Sequence, residues 1–166
     1  MLLFLTQLFA CDYTQGLYNV SLGSSGDFLL SNLNNSDPAM IKTAMNWTQM
    51  NSSIVFMRNR NGFTIMLGSK KLCLMGADQV MLCNPYDKSV LDDWRFVETS
   101  KGTSIRTRNM CLTVSMTPHS FMSHPFFSLR TTPCGSKVYS YFSIDRIDPY
   151  AFNPHGGFSS YGSGFN

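Results

Sequence analysis

Apolar and polar positions alternate along this chain in short runs, each closed by Gly, Asn, Pro or Asp. Tyr18-Asn19-Val20-Ser21-Leu22, Phe63-Thr64-Ile65-Met66-Leu67 and Phe142-Ser143-Ile144 carry the period of two that an extended strand produces. Phe28-Leu29-Leu30, Ser53-Ile54-Val55-Phe56, Val80-Met81-Leu82-Cys83 and Asp93-Trp94-Arg95-Phe96 have the same grammar. Helical periodicity is scarce. Its best segment, Ala39 to Met45, is too short to stand as a helix.

The runs also recur. Ile65 and Ile105 are 40 residues apart, as are Ile54 and Trp94, and Phe56 and Phe96; Cys73 and Cys111 are 38 apart. Trp94 and Phe142 are 48 apart, the excess lying in the loop Thr117–Pro125. Three units of about four short strands each therefore cover residues 16–148, with an Asn/Ser-rich insertion over Leu33–Gln49 in the first. One such unit cannot bury its own apolar face. The repeated Ile/Val and Trp/Phe/Ile positions then read as layers of one shared core. Closure is expected, since it leaves no long unpaired strand edge.

Composition narrows the function classes. With 43% hydrophobic and 14% charged residues, the 166-residue chain is neither disordered nor built as a coiled coil. No run approaches the ~18 apolar residues a membrane-spanning helix needs. A net charge of +3 is too slight to argue for nucleic acid, which is not an expected partner. Residues 1–15 read as a signal peptide or leader, because Met1–Ala10 is apolar and ends on a small residue before Cys11, although no Lys or Arg opens it. A buried first strand and a lipoprotein-like Leu8-Phe9-Ala10-Cys11 box are the alternatives. Residues 149–166 form a Gly/Ser/aromatic tail, read as flexible. Glycosylation sequons stand at Asn19, Asn34, Asn46 and Asn51, in keeping with secretion.

The middle unit carries Leu72-Cys73-Leu74, Val80-Met81-Leu82-Cys83 and Asp92-Asp93-Trp94-Arg95-Phe96, and the third repeats Cys111-Leu112, Leu129, Cys134 and Phe142-Ser143-Ile144. In this order they resemble the Cys-Leu, apolar-x-Leu and closing Gln-x-Trp lines of ricin B-type lectins. That resemblance implies a β-trefoil with pseudo-threefold symmetry, binding of sugars in shallow pockets, and within-unit disulfides Cys73–Cys83 and Cys111–Cys134. It also implies a carboxylate just after Cys-Leu. Here Met75, Thr113 and Ser31 occupy that position, Asp92 and Ser140 replace the closing Gln, and Leu91 and Tyr139 replace the pocket Asn. The scaffold pattern is kept; the usual sugar-contacting residues are not.

Ligand-contacting candidates are Asp78 in the Gly76-Ala77-Asp78-Gln79 turn, and Asn84, Tyr86 and Asp87 after the following strand. Each also has a plainer reading as turn chemistry. Trp47, between two sequons, is the aromatic least explained by packing, as a stacking platform or a loop cover. Arg58, Arg60, Lys70, Lys71, Lys101, Arg106 and Arg108 fall in two equivalent windows, either as a solvated face or as a patch for sulfated glycan, phosphate or another polyanion. Catalytic residues are not expected: Glu98 is the sole Glu, and no nucleophile–base pair or phosphate loop is apparent. His119 and His124 lack a third ligand for zinc, so neither metal nor cofactor is expected. The leading expectation is a secreted, non-catalytic module that binds glycans or glycoproteins. The alternative is a structural or interaction protein that has lost sugar binding and docks another extracellular protein. A Kunitz-type inhibitor fits poorly with the Cys-Leu pattern.

Overall fold

A computed structural model describes residues 16–23, 26–34, 37–42, 54–115, 117–121, 124–135 and 140–147. The leader, Trp47, the sequons at Asn46 and Asn51, Tyr139 and the tail lie outside the described residues. Thirteen strands account for most of what is described, and no helix occurs among these residues. The first four are β1 (Gly16–Leu22), β2 (Phe28–Asn34), β3 (Asp37–Lys42) and β4 (Ile54–Arg58). Next come β5 (Phe63–Leu67), β6 (Lys70–Met75), β7 (Gln79–Cys83) and β8 (Arg95–Thr99). The chain continues with β9 (Gly102–Thr107), β10 (Met110–Val114), β11 (His119–Phe121), β12 (His124–Pro133) and β13 (Phe142–Arg146). Ala39–Lys42, part of the one weak helical segment, belongs to β3.

The alternation sets the sides of each strand. In β4 Ile54 and Phe56 point inward, in β5 Ile65 and Leu67, and in β7 Val80 and Leu82, while the residues between them face outward or are half-buried. Antiparallel pairing closes nine strands into a barrel, in the order β10-β9-β13-β1-β4-β5-β6-β7-β12 and back to β10. Four strands are additional. The β2–β3 hairpin spans from β1 to β12, β8 pairs β9, and β11 pairs β12.

This pairing corrects the trefoil expectation. A trefoil needs three equivalent four-stranded units about a threefold axis. Here the ten-residue β12 pairs with β3, β7, β10 and β11, knitting all three sequence units into one 13-stranded sheet around a nine-stranded ring. The 40-residue spacing marks depth, not symmetry: Ile54, Trp94 and Phe142 are all buried, because each enters the same barrel interior. A repeat of inward positions is compatible with more than one way of pairing the edges, and hydrogen bonding chooses among them.

Among the described residues Trp94 is the largest fully buried side chain. Its Nε1–H donates to the Leu72 carbonyl at 2.9 Å, and its backbone exchanges two hydrogen bonds with Phe63, at 2.8 and 2.9 Å. Gly62 permits that approach, since a Cβ there would overlap the Trp94 carbonyl oxygen. Phe56 stacks on Tyr18 at 4.4 Å and on Phe96 at 4.6 Å, each such pair adding about 0.5–1.5 kcal/mol beyond burial. Disulfides join Cys73 to Cys83 and Cys111 to Cys134, with Cα–Cα distances of 6.0 and 4.9 Å, both within the range a disulfide spans. By loop-closure entropy each contributes about 3 kcal/mol.

Candidate functional site

The four ligand candidates do not converge. Asp78 lies in the turn between β6 and β7, whereas Asn84, Tyr86 and Asp87 follow the far end of β7, about 16 Å away for a five-residue strand. Asp78 exposes its side chain and spends its main-chain carbonyl on the Thr131 N–H, at 2.9 Å. The other three shape a loop. Asn84 Oδ1 accepts from the Tyr86 N–H at 2.9 Å, and Asp87 Oδ1 accepts from the backbone and hydroxyl of Ser89 at 2.8 and 2.6 Å. Tyr86 projects from this loop, 87% exposed.

The Ser89 hydroxyl, followed by its N–H, holds the Asp87 carboxyl below its ordinary value. Because the folded value is the lower one, the contribution is present above the unfolded carboxylate pKa and fades as pH falls through the folded one. Ser89→Ala is expected to move the Asp87 titration back toward the ordinary carboxylate range, as followed by carboxyl carbon shifts in a pH series. An unchanged titration would mean that the hydroxyl is not the cause.

Beneath the loop, Lys71 is buried. The segment after β7 lies over β6, with the Leu74 N–H bonded to the Leu91 carbonyl at 2.8 Å, so Lys71 through Leu74 are all shielded. Lys71 Nζ pairs with Asp92 Oδ2 at 2.9 Å and donates to the Asp87 carbonyl at 2.5 Å. Thr64 donates to the same Asp92 oxygen at 3.5 Å. Leu91 and Asp92, which stand where the resemblance implied the pocket Asn and the closing Gln, are thus occupied in holding the loop down.

A better-formed concavity lies elsewhere. It has a volume of about 450 Å³ and is walled by β3, β7, β11 and β12, with Leu33 of β2 at its rim. Strand register assembles it. Ser128 opposite Ala39 lays β12 along β3, Arg130 opposite Gln79 brings in β7, and His119 opposite Phe126 folds β11 over β12. The last pairing stacks the His119 imidazole on the Phe126 ring, with centroids 5.4 Å apart and 28° between planes. The polar residues that line it are Asp37, Gln79, Ser120 and Ser128, together with His119. The arrangement offers a stacked aromatic surface beside donors and acceptors of the kind that grip vicinal hydroxyls.

A second hollow of about 460 Å³ lies between β8, β9 and β13. Several of its polar groups are already engaged: Thr103 Oγ1 donates to Glu98 Oε1 at 2.7 Å, and Lys101 Nζ sits over the Tyr141 ring at 5.9 Å. Among the described residues no three His, Cys, Asp or Glu side chains form a set able to hold a metal ion. Of the sequons, Asn19 lies within β1 opposite Asp145, with its Ser21 buried, and Asn34 ends β2 opposite Asp37.

Sequence reasoning missed Asp37, Gln79 and Phe126, and met His119 only as an incomplete zinc ligand. No local signal joins them. Asp37 and His119 are 82 residues apart, and only the pairing of β12 with β3 and β11 brings them together. Comparison with known proteins adds one relationship. No curated protein matches the chain. The family described as ECU07_1090, N-terminal domain, matches residues 16–124, well over half of the sequence, and the chain belongs to that family.

Proposed function

We propose that the protein is a secreted, non-catalytic carbohydrate-binding module whose ligand occupies the concavity between β3, β7, β11 and β12. The observation that carries this reading is the conjunction, in one hollow, of the His119–Phe126 stack, the Asp37 carboxylate and the Gln79 amide. A sugar presents a C–H face and a rim of hydroxyls, and a site with a flat apolar wall and a few fixed polar groups is complementary to both. Secretion is supported by the two disulfides, which persist in an oxidising compartment, and by the apolar leader.

Screening the chain against galactosides and neutral and amino sugars is expected to give binding that Asp37→Ala and Gln79→Ala each weaken about tenfold, one well-made polar contact being worth ~1.5 kcal/mol. Absence of binding across that set, or binding that neither variant weakens relative to the parent chain, would remove the reading. A second reading, docking of another extracellular protein, is favoured by Tyr86, since an exposed ring on a hydrogen-bonded loop is a low-entropy contact. It predicts partner binding that Tyr86→Ala abolishes and Asp37→Ala leaves intact.

A further inference from the structure

Four arginines gather at one end of the barrel. Arg95 of β8 and Arg106 of β9 are directly opposed, which places two guanidinium stems on one outward face with Cβ atoms about 5 Å apart. Arg95 Nε donates to the Asn61 carbonyl at 3.1 Å, so the turn between β4 and β5, which carries the exposed Arg60, lies against it. Arg108 follows two residues after Arg106, in the turn from β9 to β10. Arg106 Nε is fixed by the Ser104 hydroxyl at 3.0 Å. The carboxylates nearby in sequence are few: Asp93 accepts from Asn61 Nδ2 at 3.4 Å, and Asp92 is engaged by Lys71.

Two features of this cluster run against stability. Like charges directly opposite on a sheet repel. Arg108 also adopts φ 51°, a left-handed conformation in which an L side chain is strained, while the corresponding turn between β5 and β6 fills that place with Gly68 at φ 62°. Stability alone would favour Gly at 108 and a neutral residue at 95 or 106. The basic windows of the sequence are thereby divided: Lys71 is buried in an ion pair and Lys101 lies at the second hollow, whereas Arg60, Arg106 and Arg108 join Arg95, which lay outside those windows.

From this arrangement we infer that Arg60, Arg95, Arg106 and Arg108 form a binding surface for a sulfated polysaccharide, separate from the concavity. Guanidinium groups bind sulfate through paired, charge-assisted N–H donors, and a row of them tracks a polymer of regularly spaced anions. Sulfated glycan is favoured over nucleic acid for two reasons. The disulfides are of the kind that persists in an oxidising compartment, and the groups that fix these arginines, the Asn61 carbonyl and the Ser104 hydroxyl, supply no ring for base stacking.

Heparin is the probe, applied to the full chain with its disulfides intact. Arg95→Gln with Arg106→Gln is expected to weaken binding at least tenfold and to flatten the dependence of log affinity on log salt, whereas Lys42→Gln with Lys88→Gln changes affinity less than twofold. Arg108→Gly separates binding from folding: it is expected to raise the melting temperature while weakening heparin binding about threefold. Equal losses from the arginine and lysine pairs would overturn the assignment, as would tighter binding to a DNA of matched length and ionic strength than to heparin. Because the neutral-sugar concavity is untouched by these variants, its failure and the failure of this surface are read separately.

Discussion

Trp94→Ala is expected to cost about 3–5 kcal/mol, roughly a fifth or more of the ~5–15 kcal/mol that stabilises an ordinary domain. The indole is fully buried, and the change opens a cavity in the core cluster that also holds Phe56 and Phe96, with Phe63 packed against it. It also strands the Leu72 carbonyl, which accepts the indole N–H at 2.9 Å. Trp94→Phe separates the two effects, keeping most of the volume and losing the hydrogen bond, and should cost about 1–2 kcal/mol. Urea unfolding of the oxidised protein measures both. A loss under 1 kcal/mol for the alanine variant would mean that the interior collapses around the site and that Trp94 is not its centre.

Lys71 and Asp92 should respond unequally to mutation. Removing the carboxylate with Asp92→Ala leaves a buried ammonium with only the Asp87 carbonyl and is expected to cost about 3 kcal/mol. The value sits at the low end for buried pairs because Asp92 keeps 23% of its side chain in contact with water. Lys71→Met removes the charge that needed a partner and fills the space with a side chain of similar length, so its cost should be under 1 kcal/mol. The double variant should then recover most of what Asp92→Ala loses. Urea midpoints for the three proteins form the cycle, and equal losses from the two single changes would show that the pair contributes as a bond and not as a buried charge with its counter-ion.

The legible part of this protein was the side each residue faces. Ile54, Ile65, Trp94, Ile105 and Phe142 were readable as core because burial imposes a local period of two and the repeat reinforced it. The pairing of strand edges was not readable, because backbone N–H and C=O groups are the same at every residue, and β12 carries no sequence mark that it will serve β3, β7, β10 and β11 together. The candidate site followed the same division. Asn84 and Asp87 were visible as polar loop residues, but their oxygens turned out to be spent on the Tyr86 and Ser89 N–H groups. Asp37 and Gln79 have no distinguishing neighbours in sequence and acquire their setting only through β12. Both disulfides, by contrast, are the pairs that the resemblance implied, Cys73 with Cys83 and Cys111 with Cys134.

The place of β1 in the ring has a consequence for how the chain is made. Tyr18 is opposite Ile54 on one side and Arg146 on the other, so the first described strand waits for the last before the barrel can close. Ribosomes add roughly 5–20 residues per second, which puts the arrival of β13 many seconds after that of β1. Throughout that interval the nascent chain carries an open edge along β1, the kind of surface that invites pairing with a neighbouring polypeptide. Strand β13 is therefore the latch of the barrel, and truncation before Phe142 would remove a closing strand.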